Sequence, residues 1–189
     1  MEVTGPIIYF KSRQEWRKWL EENFQSQKEI WFIFPKKSSD KISVAYNDAV
    51  EEALCFGWID SIIKSYDNES KIQRFTPRKP KSNFSQLNKE RLQWLKENNL
   101  IHKSILEDVN NILSEKFIFP KYIIDVLKKD ETVWKNYLKF SDAYKRIRIA
   151  YIHSARKRQE EYTKRLQNFI KKTKENKMIK GYGGTEKYY

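Results

Sequence analysis

The predicted fold rests on the stretch ALCFGWID at residues 53–60, which is followed at residues 73–82 by QRFTPRKPKS. The first stretch has the pattern of an apolar helix end that stops at Gly57 and continues as an aromatic strand carrying Trp58 and Asp60. The second stretch has the pattern of a returning strand that ends in a cluster of cations. Because residues 67–70 have the composition of a turn, the two strands are predicted to form an antiparallel hairpin.

Apolar residues at helical or strand spacing predict the elements on either side of this hairpin. Before it we expect a helix at 13–23, a buried strand at 29–35 and a helix at 46–56, whose acidic residues face solvent. After it the pattern is helical, with helices expected at about 83–98, 103–114, 122–129 and 131–140, and from 141 onward either one long helix or two with a break near His153.

The predicted class is therefore α+β, with a small antiparallel sheet packed with helices in the N-terminal half and an all-helical C-terminal part. The expected organisation is an α+β domain at 1–98, a helical segment packed on it at 99–180, and a flexible tail at 181–189.

Charge is unevenly distributed along the 189 residues, whose formal net charge is +13. Residues 1–60 hold 8 Lys/Arg and 10 Asp/Glu, a net of −2, and residues 61–189 hold 30 Lys/Arg and 15 Asp/Glu, a net of +15. This asymmetry favours phosphates, nucleic acid, anionic lipid or acidic proteins as partners. The alternative is a lysine-rich composition that serves solubility.

Cysteine and histidine content excludes several classes of site. The single cysteine, Cys55, excludes an intramolecular disulfide, and the two histidines, His102 and His153, are too far apart in sequence to suggest a metal site. We predict no metal and no cofactor. The N-terminus lacks the features of a signal peptide and the longest apolar run, 30–35, is too short to span a bilayer, so the expected location is cytoplasmic.

The hairpin is the first candidate site. Trp58, Asp60 and Lys64 alternate onto one face of the first strand, and Arg74 and Arg78 share a face of the second. If Asp60 lies opposite Arg78, the two faces coincide and an aromatic side chain, a carboxylate and several cations converge. The alternative is that Trp58 belongs to the core and Asp60 forms a structural ion pair with one arginine.

The basic loop after the hairpin extends this candidate site. Its cations stand beside a predicted helix N-terminus at Ser82, where exposed N–H groups favour an anion. The alternative is a solvated loop capped by the serine. The predicted ligand-binding residues are Trp58, Asp60, Lys64, Arg74, Arg78, Lys81, Ser82 and Asn88.

The basic C-terminal helices are the second candidate site. Residues 145–180 hold 13 Lys/Arg and 3 Asp/Glu around an aromatic stripe, which suits either nucleic-acid binding or a solvated face over packed aromatics. No pattern predicts a catalytic residue, since a nucleophilic Cys55 would need a base and partial exposure.

The same motifs resemble the YdeI/OmpD-associated family, also called bacteriocin-protection proteins. The resemblance covers residues 7–95 and rests on residues 53–60 and 73–82, with WRKWL at 16–20 and FSQLN at 84–88. The C-terminal helical part resembles the family's second segment through SARK at 154–157 and KRL at 164–166, although Tyr162 stands where many members have arginine.

The resemblance implies a small bacterial cytosolic protein without an established activity, and a link to bacteriocin or cationic-peptide resistance. Since a +13 protein repels cationic peptides, any protection would be indirect. We therefore expect a protein that is more plausibly a binder than an enzyme, with an anionic small molecule or acidic protein as its partner. Nucleic-acid binding through the basic helices and an enzyme on a small anionic substrate are the alternatives, and the oligomeric state is not predicted.

Overall fold

Four strands of the N-terminal half form one sheet in the computed structural model, which describes residues 3–36, 38–79, 82–180 and 185–189. The strands are β1 (Ile7–Ile8), β2 (Ile30–Pro35), β3 (Trp58–Ser65) and β4 (Ser70–Pro77), in the order β1-β2-β4-β3. β1 pairs with β2 in parallel and the other two pairings are antiparallel. β3 and β4 thus form the predicted hairpin, and β1 is a strand that the sequence pattern did not reveal.

The helices of the described residues lie mostly in the C-terminal half. They are α1 (Arg13–Asn23), α2 (Tyr46–Cys55), α3 (Gln86–Glu97), α4 (Leu106–Ser114), α5 (Lys121–Leu127), α6 (Glu131–Lys139), α7 (Asp142–His153) and α8 (Gln159–Lys174), with short 3₁₀ turns at Lys103–Ile105 and Glu186–Tyr188. The predicted α+β class is confirmed. None of the helices in the described residues is long and apolar enough to cross a membrane.

α1 is placed by its cap and by its buried face. The Ser12 hydroxyl accepts a hydrogen bond from the backbone N–H of Glu15, whose side chain accepts one from the N–H of Lys11, one residue before the N-cap position of a capping box. Trp16 is fully buried and its indole N–H donates to the carbonyl of Ala49 at 2.9 Å. This bond ties α1 to α2.

α2 ends where the sequence predicts, at the glycine before β3. Gly57 has φ +73°, a conformation that residues with a side chain rarely adopt. The chain can therefore leave the helix and enter β3 within two residues.

The last helical stretch is divided into α7 and α8, and the break lies at 154–158. Of the two alternatives left open by the sequence, the broken helix is therefore correct. α7 and α8 contribute five buried side chains to one hydrophobic cluster: Tyr144, Ile149, Ile152, Leu166 and Phe169.

The chain divides into two compact units. One contains Met1–Asn83 and Leu95–Asn110, and the other contains Phe84–Trp94 and Asn111–Tyr189. Of the predicted tail, residues 181–184 lie outside the described residues. Beyond them Tyr188 is buried, with its ring 6.1 Å from the ring of Trp94.

Candidate functional site

The register of the β3–β4 hairpin decides the first candidate site. Asp60 lies opposite Phe75 and Trp58 lies opposite Pro77. The register that would place Asp60 opposite Arg78, which the sequence left open, is therefore not the one that forms. Directly opposed residues in an antiparallel pair project to the same face, so Asp60 shares a face with Phe75 and not with Arg74, the arginine of β4.

A β-bulge completes this separation. The register shifts between Asp60 and Ile63, so two residues of β3 oppose one of β4. After the bulge Lys64 lies opposite Ile72, which places it on the face of Arg74. Trp58 and Asp60 therefore project from one face of the sheet, and Lys64 and Arg74 from the other.

Trp58 belongs to the core, as the structural alternative proposed. Its side chain is 1% exposed, its indole N–H donates to the carbonyl of Phe24 at 3.1 Å, and its ring meets that of Trp19 edge-on at 5.8 Å. Asp60 accepts hydrogen bonds from the hydroxyl of Tyr46 at 2.6 Å and from the amide of Gln73 at 3.4 Å. Its hydrogen bonds are thus with neutral groups, although its charge also acts on Arg78.

Arg74 is held by a carboxylate on its own face of the sheet. Its Nε donates to Glu29 Oε2 at 2.6 Å, and Glu29 also accepts from the hydroxyl of Thr4 and the indole of Trp31. Burial opposes the charge of Glu29, but hydrogen bonds from these three donors prevail and lower its pKa to about 2. Lys64 lies 5.1 Å above the ring of Trp31.

Of the remaining predicted residues, Arg78, Ser82 and Asn88 each form hydrogen bonds with residues outside the predicted set. Arg78 donates to the carbonyl of Asn83 at 2.9 Å, and burial lowers its pKa although Asp60 favours its charge. The backbone N–H of Ser82 donates to the carbonyl of Lys79, and Asn88, in the other unit, accepts from Arg91 at 2.7 Å. Lys81 lies outside the described residues. Anion binding by these residues stays a prediction.

Two of the three acidic residues that were expected to face solvent from α2 are buried, whereas the side chain of Asp48 is 38% exposed. Glu51 and Glu52 are 0% and 3% exposed and pair with Arg13 and Arg17 of α1. The sequence signal that could have shown this is two arginines one helical turn apart on α1, matched by adjacent acids on a helix that packs against it. This network joins α1 to α2. Because its cations and carboxylates are paired with one another, little of their charge is available to a ligand.

Cys55 lies at the end of this network and lacks the properties of a nucleophile. Burial and the nearby charge of Glu52 raise the pKa of its thiol to about 12, against a smaller opposing effect of Arg17. The thiol is therefore protonated at neutral pH, whereas a nucleophilic cysteine needs a thiolate. Among the described residues no cluster of three metal-binding side chains occurs.

Exposed, unpaired cations are found on α8 and on the segment that precedes it. Together they form what we call the α7–α8 basic surface: Arg156, Lys157, Arg158, Lys164 and Lys171. All five are exposed, and within the described parts of the chain none of them forms an ion pair with a carboxylate. Lys164 and Lys171 help to line an open groove along α8, together with Gln159, Glu160, Thr163, Gln167 and Asn168.

Aromatic side chains border this surface. Tyr151 is 45% exposed, and the guanidinium of Arg165 lies 3.7 Å from its ring centre. Tyr122 is also 45% exposed, and its hydroxyl contacts His153 Nδ1 at 2.6 Å. Proteins that bind single-stranded nucleic acids combine cations, which pair with phosphates, and aromatic rings, on which the bases stack.

Two family models match the chain, in adjacent regions. Residues 8–108 match the family described as "Domain of unknown function (DUF8412)", and residues 116–176 match the family described as "Bacteriocin-protection, YdeI or OmpD-Associated". The predicted family is thus confirmed by the helical region that holds the α7–α8 basic surface, whereas the motifs at 53–60 and 73–82 lie in the first region. No curated protein and no solved structure shows significant similarity to the chain.

Proposed function

The chain belongs to the family described as a domain of unknown function (DUF8412) and carries a YdeI/OmpD-associated bacteriocin-protection region, and from this premise we propose that it binds nucleic acid through the α7–α8 basic surface. The observation that supports the proposal is the group of five exposed cations without a carboxylate partner. Phosphates are the partners that such a surface attracts most strongly.

Arginines elsewhere in the chain show why the absence of partners matters. Arg13 and Arg17 pair with buried carboxylates, and Arg74 pairs with Glu29. Their charge is compensated inside the protein, so a phosphate would have to compete with a carboxylate already in contact. At the α7–α8 basic surface Glu160 lines the groove and the charges of Lys164 and Arg158 act on Glu161, but neither carboxylate forms an ion pair with the five cations, so a phosphate meets weaker competition there.

The extent of the surface favours a polymer over a small anion. Lys164 and Lys171 are seven residues apart on one face of α8, which separates them by about 10 Å along the helix axis. One strand of a duplex carries a phosphate roughly every 3.4 Å of its axis, so this interval spans about three phosphates. A single small anion would contact only one end of the surface.

The salt dependence of binding tests the proposal. Five phosphate contacts predict that log Kobs falls with log salt at a slope of about −4.5 for duplex DNA and about −3.5 for a single strand. We would measure fluorescence anisotropy with labelled oligonucleotides of about 20 nucleotides between about 50 and about 200 mM salt, where the expected loss of affinity is large.

A charge-matched pair of variants separates a defined surface from general charge attraction. The variant K157Q/K164Q/K171Q should reduce the slope by about 2 to 3, because each lost phosphate contact removes about 0.7 to 0.9. The control K18Q/K28Q/K41Q removes the same charge from exposed positions in the other unit and should leave the slope unchanged. Equal losses in both variants, or no binding at low salt, would refute the proposal.

A protective role fits this proposal only through an anionic partner. The formal charge of +13 makes direct capture of cationic peptides unfavourable, since like charges repel. If protection operates through bound nucleic acid, K157Q/K164Q/K171Q should lose it in a bacterial survival assay while the charge-matched control retains it. Retention by both variants would separate protection from nucleic-acid binding.

A further inference from the structure

Three side chains from α5, α7 and the segment after α7 form one hydrogen-bonded group. The hydroxyl of Tyr122 lies 2.6 Å from His153 Nδ1, and a guanidinium nitrogen of Arg156 contacts His153 Nε2. Tyr122 and Arg156 are exposed and His153 is half-buried. The group therefore stands at the surface, at one end of the α7–α8 basic surface.

The contact with Arg156 determines which nitrogen of His153 carries the proton. A guanidinium group can only donate hydrogen bonds, so Nε2 must accept and cannot be protonated. The imidazole is then neutral, with its proton on Nδ1, and Nδ1–H donates to the phenolic oxygen of Tyr122. The hydroxyl proton of Tyr122 is left to point elsewhere.

The hydrogen-bonding groups that remain available to a ligand are therefore all donors. The hydroxyl of Tyr122 makes no other hydrogen bond with a described residue, and neither do Nε and Nη2 of Arg156. A ligand that satisfies these groups must present several acceptors and negative charge. A phosphate group has both properties, and a planar guanidinium matches its oxygens in a bidentate manner.

We infer that Tyr122, His153 and Arg156 form a phosphate-binding subsite that takes up one proton as the phosphate binds. The inference deepens the proposed function, because the subsite would hold one phosphate of the nucleic acid. A bound phosphate draws Arg156 away from His153 and frees Nε2. The proton taken from solvent then resides on Nε2, which donates to a phosphate oxygen.

The surroundings of His153 favour the neutral ring until an anion arrives. Tyr122 faces it from α5 and Arg156 faces it from the segment after α7. From α8 come Tyr162, whose ring lies 6.2 Å from the ring of Tyr122, and Arg165, which donates to Ser154. No carboxylate contacts His153 in the parts of the chain that the structure describes. Burial first, and the charge of Arg156 second, lower the pKa of His153. The negative charge of a bound phosphate offsets the charge of Arg156 and so favours the imidazolium.

Proton nuclear magnetic resonance of the full chain with inorganic phosphate tests the subsite directly. The chain has two histidines, and His102 lies in the other unit, where its ring stacks on Phe56. In phosphate, the titration midpoint of His153 should rise by about half a pH unit or more relative to chloride at equal ionic strength. His102 should titrate identically in both salts. An unchanged His153 midpoint would overturn the inference.

Binding of a thymidine oligonucleotide, whose bases do not titrate in this range, tests the proton linkage. The affinity should rise as pH falls from about 8 to about 5.5, by up to about tenfold per pH unit, because binding and protonation are reciprocally coupled. H153Q should flatten the dependence and H102Q should preserve it, and Y122F should weaken it without changing the fold.

The two tests distinguish the inference from the proposed function. Oligonucleotide binding that does not vary with pH would overturn the subsite and leave nucleic-acid binding intact. Absence of oligonucleotide binding together with a phosphate-dependent His153 midpoint would overturn the proposed function and keep the subsite.

Discussion

Replacing Glu29 with glutamine should remove the largest acid-dependent contribution that the structure identifies in the N-terminal unit. Glu29 is 12% exposed and accepts hydrogen bonds from Thr4, Arg74 and Trp31. The charge-assisted bonds with Arg74 are formed only by the ionised carboxylate. E29Q keeps the size of the side chain and removes that charge, so the change tests electrostatics rather than packing.

The magnitude follows from the pKa of Glu29, which falls from 4.5 to about 2 on folding. Since a tenfold change in proton affinity is worth about 1.36 kcal/mol, the ionised carboxylate contributes about 3 kcal/mol to the free energy of unfolding at neutral pH. A depressed folded-state pKa means that this contribution is present above about pH 5 and is lost on acidification. It falls to about 1 kcal/mol near pH 3 and largely disappears below pH 2.

Urea unfolding followed by tryptophan fluorescence between about pH 2.5 and about pH 7 would measure the effect, with E22Q as the control. Glu22 is an exposed carboxylate on α1 whose contact with Lys18 is 4.0 Å long, so its removal should cost less than about 0.5 kcal/mol at every pH. The difference between the parent protein and E29Q should shrink as pH falls. A difference that stays constant with pH, or that equals the effect of E22Q, would refute the reasoning.

Two further predictions concern the network between α1 and α2. R13M should lower the free energy of unfolding by about 2 to 3 kcal/mol, because it removes hydrogen-bond donors from the buried carboxylates of Glu51 and Glu52. The control K18M should lower it by less than about 0.5 kcal/mol. Equal urea midpoints for the two variants would contradict this prediction. Burial and Glu52 raise the pKa of Cys55 to about 12, so a thiol reagent at about pH 8 should label it only after unfolding, and rapid labelling of the native protein would contradict the buried thiol.

The region that matches the predicted family differs from the region that suggested it. The motifs at 53–60 and 73–82 led to the correct family, yet the region that matches this family is 116–176, and the earlier motifs lie in a region matched by another model. Side chains within those motifs are mostly core or structurally paired. The exposed cations lie in the helical region.

Local elements follow from the sequence because their determinants are close together along the chain. The predicted helix at 13–23 coincides with α1, since its cap, its acidic first turn and its apolar spacing lie within a dozen residues. Gly57 likewise ends α2 through its own backbone conformation. These signals also determine the α+β class.

The tertiary structure decided which of these side chains meet. The pairing of Asp60 with Phe75 placed the acid and Arg74 on opposite faces. The bulge in β3 then moved Lys64 to the face of Arg74, because a shift of one residue inverts every later side chain in a strand. The pairing of Arg13 with Glu51 depends on two helices that are distant in sequence. Composition alone established the positive charge, but only the packed chain determined that the cations beside α8 remain without a carboxylate, since ion pairing requires proximity in space.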